Sequence, residues 1–168
     1  SHDVDVPSRY AFSNIKLFLV RSLVDIKKSR KIKNFIKYCS IRKNAKHKFN
    51  EEDPYNQFNW MINTADQNNL TASFNFIPAT TDRNFDGNYK LSFPSIKNLM
   101  RKIHLSGHLI GLHPSYNSFL NPKQILFEAK LLKEACAKEK IFQKVWGGRM
   151  HYLRFKYPTT LFGWEQAG

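Results

Sequence analysis

Acidic residues are scarce in this chain, with 13 aspartates and glutamates against 27 lysines and arginines and a formal charge of +14 over 168 residues. Between Lys27 and Lys48 there is no acid at all. That stretch carries Lys27, Lys28, Arg30, Lys31, Lys33, Lys37, Arg42, Lys43, Lys46 and Lys48. Such a block suits nucleic acid, anionic lipid headgroups or an acidic glycan, against the plainer reading of a solvated helix face. No RNA- or DNA-binding signature accompanies it, so no specific nucleic-acid partner is expected. Cysteine is equally sparse. Cys39 and Cys136 lie far apart with no CxxC between them, which argues against a disulfide framework and reads as two reduced, packed thiols. No apolar run approaches the roughly 20 residues that a bilayer-crossing helix needs, and no signal-peptide pattern is present. Internal repeats and low-complexity tracts are also missing. The chain opens on Ser1 without an initiator Met and ends at Gly168. It is therefore expected to be cut from something longer, and the localisation of the parent protein stays open.

What is present is a globular composition, 42% apolar and 14% aromatic, enough for one domain with a real core. Helix-like and strand-like segments alternate along most of it. Asp53-Pro54 reads as a helix cap and first position, followed by the stripe Phe58, Met61, Ile62, Ala65. Thr71–Ile77 reads as a strand stopped by Pro78. After the polar loop 80–91, Pro94-Ser95 opens a second stripe, Ile96, Leu99, Met100, Ile103. Leu109–Leu112 is a short apolar strand that delivers His113-Pro114. Asn121-Pro122 repeats the cap-plus-proline start, and Ile125, Ala129, Leu132 and Cys136 line the longest helix. Lys144–Arg149 is a strand candidate, and Pro158 opens a last helix. Strands spaced by helices imply βα units and a mostly parallel sheet. Residues 13–48 break this rhythm. The stripes Ile15, Phe18, Leu19, Ser22 and Ile32, Phe35, Ile36, Cys39 read as two basic helices inserted after the first strand.

In parallel βα folds, reactive side chains collect where strands end. Asp3 and Asp5, spaced to share one side of an extended segment, sit where a first strand ends. His113 follows the Leu109–Leu112 strand, and Arg149 and His151 follow the Val145 segment. Two carboxylates, two imidazoles and a guanidinium on one rim suffice for a divalent metal and a general base. Taken singly, each has a plainer reading: a solvent-exposed Asp-x-Asp, a structural His before Pro, an arginine covering a rim. Their order, each at a strand end, carries the argument. Among other conspicuous residues, His108 reads as structural, His47 as solvated, and Trp60, Trp146 and Trp164 as buried.

Two stretches resemble the NodB-homology polysaccharide deacetylases, carbohydrate esterase family four and its bacterial surface-polysaccharide relatives. Ser1-His2-Asp3-Val4-Asp5 is similar to a family first motif, Ser-Phe-Asp-Val-Asp. Gly107-His108-Leu109-Ile110-Gly111-Leu112-His113-Pro114-Ser115-Tyr116-Asn117 resembles the second motif, Gly-His-Glu-Ile-Gly-x-His-x-x-x-His, through His113. Arg149 falls where the third motif's arginine would follow a strand. The resemblance spans about residues 1–7 and 53–168 and leaves the basic insert outside.

It implies an α/β fold, a partial distorted (β/α) barrel forming one domain over 1–168 with a helical insertion at 13–48, completed by the remainder of the parent chain. It implies a hydrolase that removes acetyl groups from a polysaccharide or other glycan, working on an amide C–N bond with a divalent metal, usually Zn2+. In that scheme Asp3 is the catalytic base and Arg149 orients and charge-balances it. Asp5 and His113 are metal ligands, with the third ligand at Asn117. Tyr116, Tyr152 and Arg154 are candidate substrate contacts. Asn117 departs from the family's second histidine and is a poor zinc ligand. The residues leave open whether His151 or His2 supplies the missing imidazole, whether the metal is weakly held or of another kind, and whether the domain binds glycan without catalysis. A third class of function is an anionic-surface binder, lipid or nucleic acid, docking through residues 13–48.

Overall fold

A computed structural model describes residues 1–168. It is α/β, with three short parallel strands and six α-helices. Strand β1 (His2–Val4) is followed by α1 (Ile15–Ser29), α2 (Asn34–Asn44) and α3 (Phe58–Gln67). Then come β2 (Ser73–Phe76), α4 (Pro94–Leu105), β3 (Leu109–Leu112), α5 (Pro122–Lys138) and α6 (Thr159–Ala167). The strands lie in the order β1-β2-β3. Their register aligns Asp3 with Asn75 and Asn75 with Gly111. The sheet is open, not closed into a barrel. No helix is long and apolar enough to cross a membrane.

The main core forms because each βα unit buries one helical stripe on the same sheet face. Phe58, Ile62 and Ala65 of α3, Ile96, Leu99, Met100 and Ile103 of α4, and Ile125, Ala129, Leu132 and Cys136 of α5 join Phe74, Phe76, Ile110 and Leu112 in one cluster. The expected stripes of α4 and α5 are thus buried as read, and the Asn121 side chain caps α5 by accepting from the Gln124 N–H. Burial pushes the Cys136 thiol up to about 12, so it is an inert packed group.

Five expectations need correction. Lys144–Arg149 is not a strand. It meets β3 through a single parallel bridge, Leu112 to Gly148, because the Gln143 side-chain amide occupies both the N–H and the C=O of Ile110 (3.0 and 2.8 Å). Gly148 is obligatory at that bridge, since a Cβ there would stand 1.9 Å from the Leu112 carbonyl oxygen. Asp53 does not cap α3, which starts at Phe58. Its carboxylate is buried and accepts from the Ser8 hydroxyl and the Arg9 and Tyr55 N–H groups. Trp60 is 64% exposed, and Cys39 is exposed rather than packed. Finally, the inserted helices exist, and the face that α1 buries falls within its expected stripe, whereas the face that α2 buries does not. α1 buries Phe18 and Ser22, and α2 buries Tyr38 and Ile41. Tyr38 stacks on Tyr10 at 4.2 Å, and this aromatic pair turns α2 so that Ile36 and Cys39 face outward, while Ile32 lies exposed just before the helix.

Candidate metal centre

Parallel pairing brings the C-terminal ends of all three strands to one edge. One residue beyond the last paired positions stand Asp5, after β1, and His113, after β3, whose N–H is held by the Phe76 carbonyl (2.9 Å). The chain then returns along β3 through Gly148 and delivers His151. Asp5, His113 and His151 bring three ligand atoms within 4.8 Å of one another, a group able to hold a metal ion. His113 and His151 are buried, and Asp3, Asp5, Arg149, Met150, Tyr152 and Leu153 complete the wall of a cleft of about 380 Å³.

The hydrogen bonds around the two imidazoles decide what this group can bind. His113 Nδ1 lies 2.5 Å from the Arg149 carbonyl oxygen, and His151 Nε2 lies 3.0 Å from the Phe85 carbonyl oxygen. A carbonyl only accepts, so both of those nitrogens carry the proton. Each neutral ring is thereby left with a lone pair on its other nitrogen. Those two nitrogens, His113 Nε2 and His151 Nδ1, face each other at 2.8 Å. Asp5 adds a carboxylate, with Oδ1 at 3.2 Å from His113 Nε2 and Oδ2 at 3.8 Å from His151 Nδ1. Asp5 Oδ1 is buried without a hydrogen-bond partner. Two lone pairs and an anion aimed at one point repel unless a cation or proton sits among them. Burial alone pulls the His113 pKa down, but the nearby carboxylates of Asp5 and Asp3 and the Arg149 carbonyl outweigh it and raise it. The same point therefore attracts a proton when no metal competes. Two imidazoles and a carboxylate, each imidazole oriented by a carbonyl behind it, match the donor set and outer hydrogen bonds of a three-ligand metal site.

Asp3 sits beside this group with its Oδ2 at 3.9 Å from His113 Nε2. Its carboxylate accepts from Asn75 Nδ2 (2.9 Å) and Arg149 Nε (3.2 Å), and Arg149 also reaches Oδ2 at 2.8 Å. Partial burial pushes the Asp3 pKa up, but the Asn75 hydrogen bond, the charge of His113 and Arg149 together hold it below the ordinary value. Gly111 explains how Asn75 gets there: a Cβ at position 111 would lie 2.0 Å from Asn75 Oδ1.

The remaining site expectations divide. His151, one of the two candidates for the missing imidazole, joins Asp5 and His113, whereas His2 packs against the Phe74 ring at 5.0 Å. Asn117 is turned elsewhere, its amide oxygen accepting from Arg154 (3.2 Å). Arg154 braces the loop. Its guanidinium lies 3.9 Å from the ring centres of both Tyr116 and Phe119 and donates to the Tyr116 carbonyl. Tyr116 is covered on one face by Phe85, stacked at 4.2 Å, and by Arg154. Tyr152 is 64% exposed beside His151, with ring centres 4.7 Å apart. Among the three candidate substrate contacts, Tyr152 is the ring a ligand reaches.

Sequence reasoning missed four supports. These are Asn75, the Phe85 carbonyl, buried Asp86 and buried Glu128. Asp86 accepts from the N–H groups of Thr81, Asp82 and Tyr116. Glu128 accepts from the Ser115 N–H and hydroxyl and from Gln124. An acidic residue inside the apolar stripe of α5 was the available signal for Glu128.

Comparison with protein-family models, curated proteins and solved structures finds no match. The functional reading therefore rests on the site itself.

Proposed function

We propose that this protein is a metal-dependent hydrolase of the polysaccharide deacetylase type, removing acetyl groups from a carbohydrate amide on the first units of a distorted (β/α) barrel. The observation that carries the reading is the meeting of His113 Nε2, His151 Nδ1 and Asp5 around one point, with Asp3 held ionised alongside. The parallel order β1-β2-β3 and the continuation of β3 toward Gly148 support the barrel part of the reading.

Asp5, His113 and His151 would hold the metal, with zinc favoured by the nitrogen-rich donor set. A metal there supplies Lewis acidity, polarising the acyl carbonyl and acidifying water. The chain's own residues supply the rest. Asp3, ionised and within reach of the same space, accepts the proton of the attacking water as general base. Arg149 and Asn75 fix its rotamer and keep it from turning onto the metal ligands. Tyr152 offers an exposed aromatic edge for a sugar ring.

Metal analysis of protein purified without chelator, paired with acetate release from N-acetylglucosamine oligomers, tests the reading. About one zinc per chain is expected, lost in Asp5→Ala, His113→Ala and His151→Ala. Asp3→Asn is expected to keep the metal and lose acetate release by about 10²- to 10⁴-fold, the usual contribution of a general base. Protein that takes up no metal even after zinc is added would sink the proposal.

A further inference from the structure

The basic insertion is more than a solvated flank. Helix α1 packs on the domain by a narrow stripe, Phe18 and Ser22, with Asp25 tied to Arg9. Its outer side carries aliphatic side chains turned to solvent: Leu19 is 41% exposed, Val20 56%, Leu23 64% and Val24 41%. Helical spacing puts these four on one continuous outward arc through the middle turns. Lys16 and Lys27 lie on the same arc at its two ends, about 16 Å apart along the axis. Beyond the helix the pattern continues. Ile32 (81% exposed) and Ile36 (76%) project from the α1–α2 junction among Lys28, Lys31 and Lys33. Lys27, Lys28, Lys31 and Lys33 are exposed and make no ion pair, whereas Lys37 is neutralised by Glu52 at 2.6 Å.

We infer that the outward arc of Leu19, Val20, Leu23 and Val24, together with the exposed Ile32 and Ile36 and the lysines among them, docks the protein on an anionic lipid bilayer surface. The aliphatic groups enter the interfacial zone, and the lysines extend their stems to the lipid phosphates. The composition favours this occupant over the alternatives. Protein interfaces gather aromatics, methionine and arginine and are poor in lysine. Here the exposed face is leucine, valine and isoleucine ringed by lysine. Nucleic acid gives no role to six exposed aliphatic side chains, since single-strand binding uses aromatic stacking. A second copy would bring two unneutralised lysine rims together at a cost in repulsion.

The test is flotation of the purified chain with vesicles of phosphatidylcholine alone and of phosphatidylcholine mixed with phosphatidylglycerol. Binding is expected on the anionic vesicles and not on the neutral ones. It should weaken about fivefold for each of Lys27→Gln and Lys31→Gln, and by more than about tenfold in the Leu19→Ser/Leu23→Ser double variant. All four substitution sites are exposed, so an unchanged far-UV circular dichroism spectrum is expected throughout. Leu23→Trp provides an independent reading, its fluorescence being quenched by brominated acyl chains when the face inserts. Three results would overturn the inference: no flotation with phosphatidylglycerol vesicles, flotation unaffected by Leu19→Ser/Leu23→Ser, or a concentration-dependent dimer that those two substitutions abolish. None of these readouts depends on metal or on acetate release.

Discussion

Two imidazoles whose outer nitrogens are both committed to backbone carbonyls have no freedom to choose a tautomer, and that constraint turns proximity into a cation site. Removing either constraint should be measurable. In His151→Gln one of the two nitrogen ligands is lost, and zinc affinity is expected to fall by well over tenfold in a chelator competition titration. Asn75→Ala leaves the metal ligands untouched but takes a hydrogen bond from Asp3. Its expected signature is unchanged zinc content, acetate release reduced by about tenfold, and an acid limb of the pH profile moved upward, since the pKa of Asp3 is no longer held down by that donor. A zinc content that fell with Asn75→Ala would show that Asn75 supports the ligands and not Asp3. The residues legible beforehand were those whose side chains have few uses on a strand-end rim: Asp3, Asp5 and His113 at the ends of β1 and β3, and Arg149 and His151 just past the Leu112–Gly148 bridge. Asn75 was not legible, because an asparagine in a strand carries no mark of which neighbour it serves. The Phe85 carbonyl has no residue identity to read at all. Asn117 was misplaced because motif spacing fixes a position in the chain and not the direction of a side chain, and Arg154 captures that amide.

At the scale of elements, the loops that hold the cleft are pinned by carboxylates drawn from outside it. Glu128 reaches out of α5 to hold the N–H and hydroxyl of Ser115, two residues past His113. Glu128→Ala leaves those buried donors without a partner, and a loss of about 3 kcal/mol of stability is expected in urea unfolding. A second tie is pH-sensitive. Asp25 of α1 receives the Arg9 guanidinium through two bonds (2.5 and 2.8 Å) and the Tyr10 hydroxyl at 2.8 Å. Its partial burial raises the pKa, but Arg9 and Tyr10 outweigh it and hold it below the ordinary 3.8. A carboxylate with a depressed folded pKa contributes stability that is present above its unfolded value and lost as pH falls through the folded one. The hold of α1 on the domain is therefore expected to weaken below about pH 4, and Asp25→Asn should cost about 2 kcal/mol at neutral pH while flattening that acid dependence. An acid limb unchanged in Asp25→Asn would assign it to other carboxylates. Helices α4 and α5 were readable from proline, caps and stripes. Lys144–Arg149 was misread as a strand because the ladder bonds it should have made are taken by the Gln143 side chain, a long-range substitution that no local pattern records.

The whole molecule is built on two unequal cores, and this division sets how it should open. The larger holds 23 buried residues and ties β1, β2 and β3 to α3, α4 and α5. The smaller consists of Tyr10, Phe18, Tyr38 and Ile41 beneath the basic helices. Burial of so few side chains stabilises α1 and α2 weakly against the entropy of ordering 36 residues, numbered 13–48. Repulsion among their unpaired lysines subtracts further at low salt. Native-state hydrogen exchange should therefore show two cooperative units. Amides of α1 and α2 are expected to exchange through local opening, with protection that rises as salt screens the lysines. Those of β3, α4 and α5 should exchange only near the global unfolding free energy. Tyr38→Ala, which removes the stacked partner of Tyr10, should lower protection in α1 and α2 without altering that of β3 or the zinc content. If Tyr38→Ala instead lowers protection evenly across the chain, the insertion and the βα units fold as one, and the basic helices are part of the scaffold that positions Asp5.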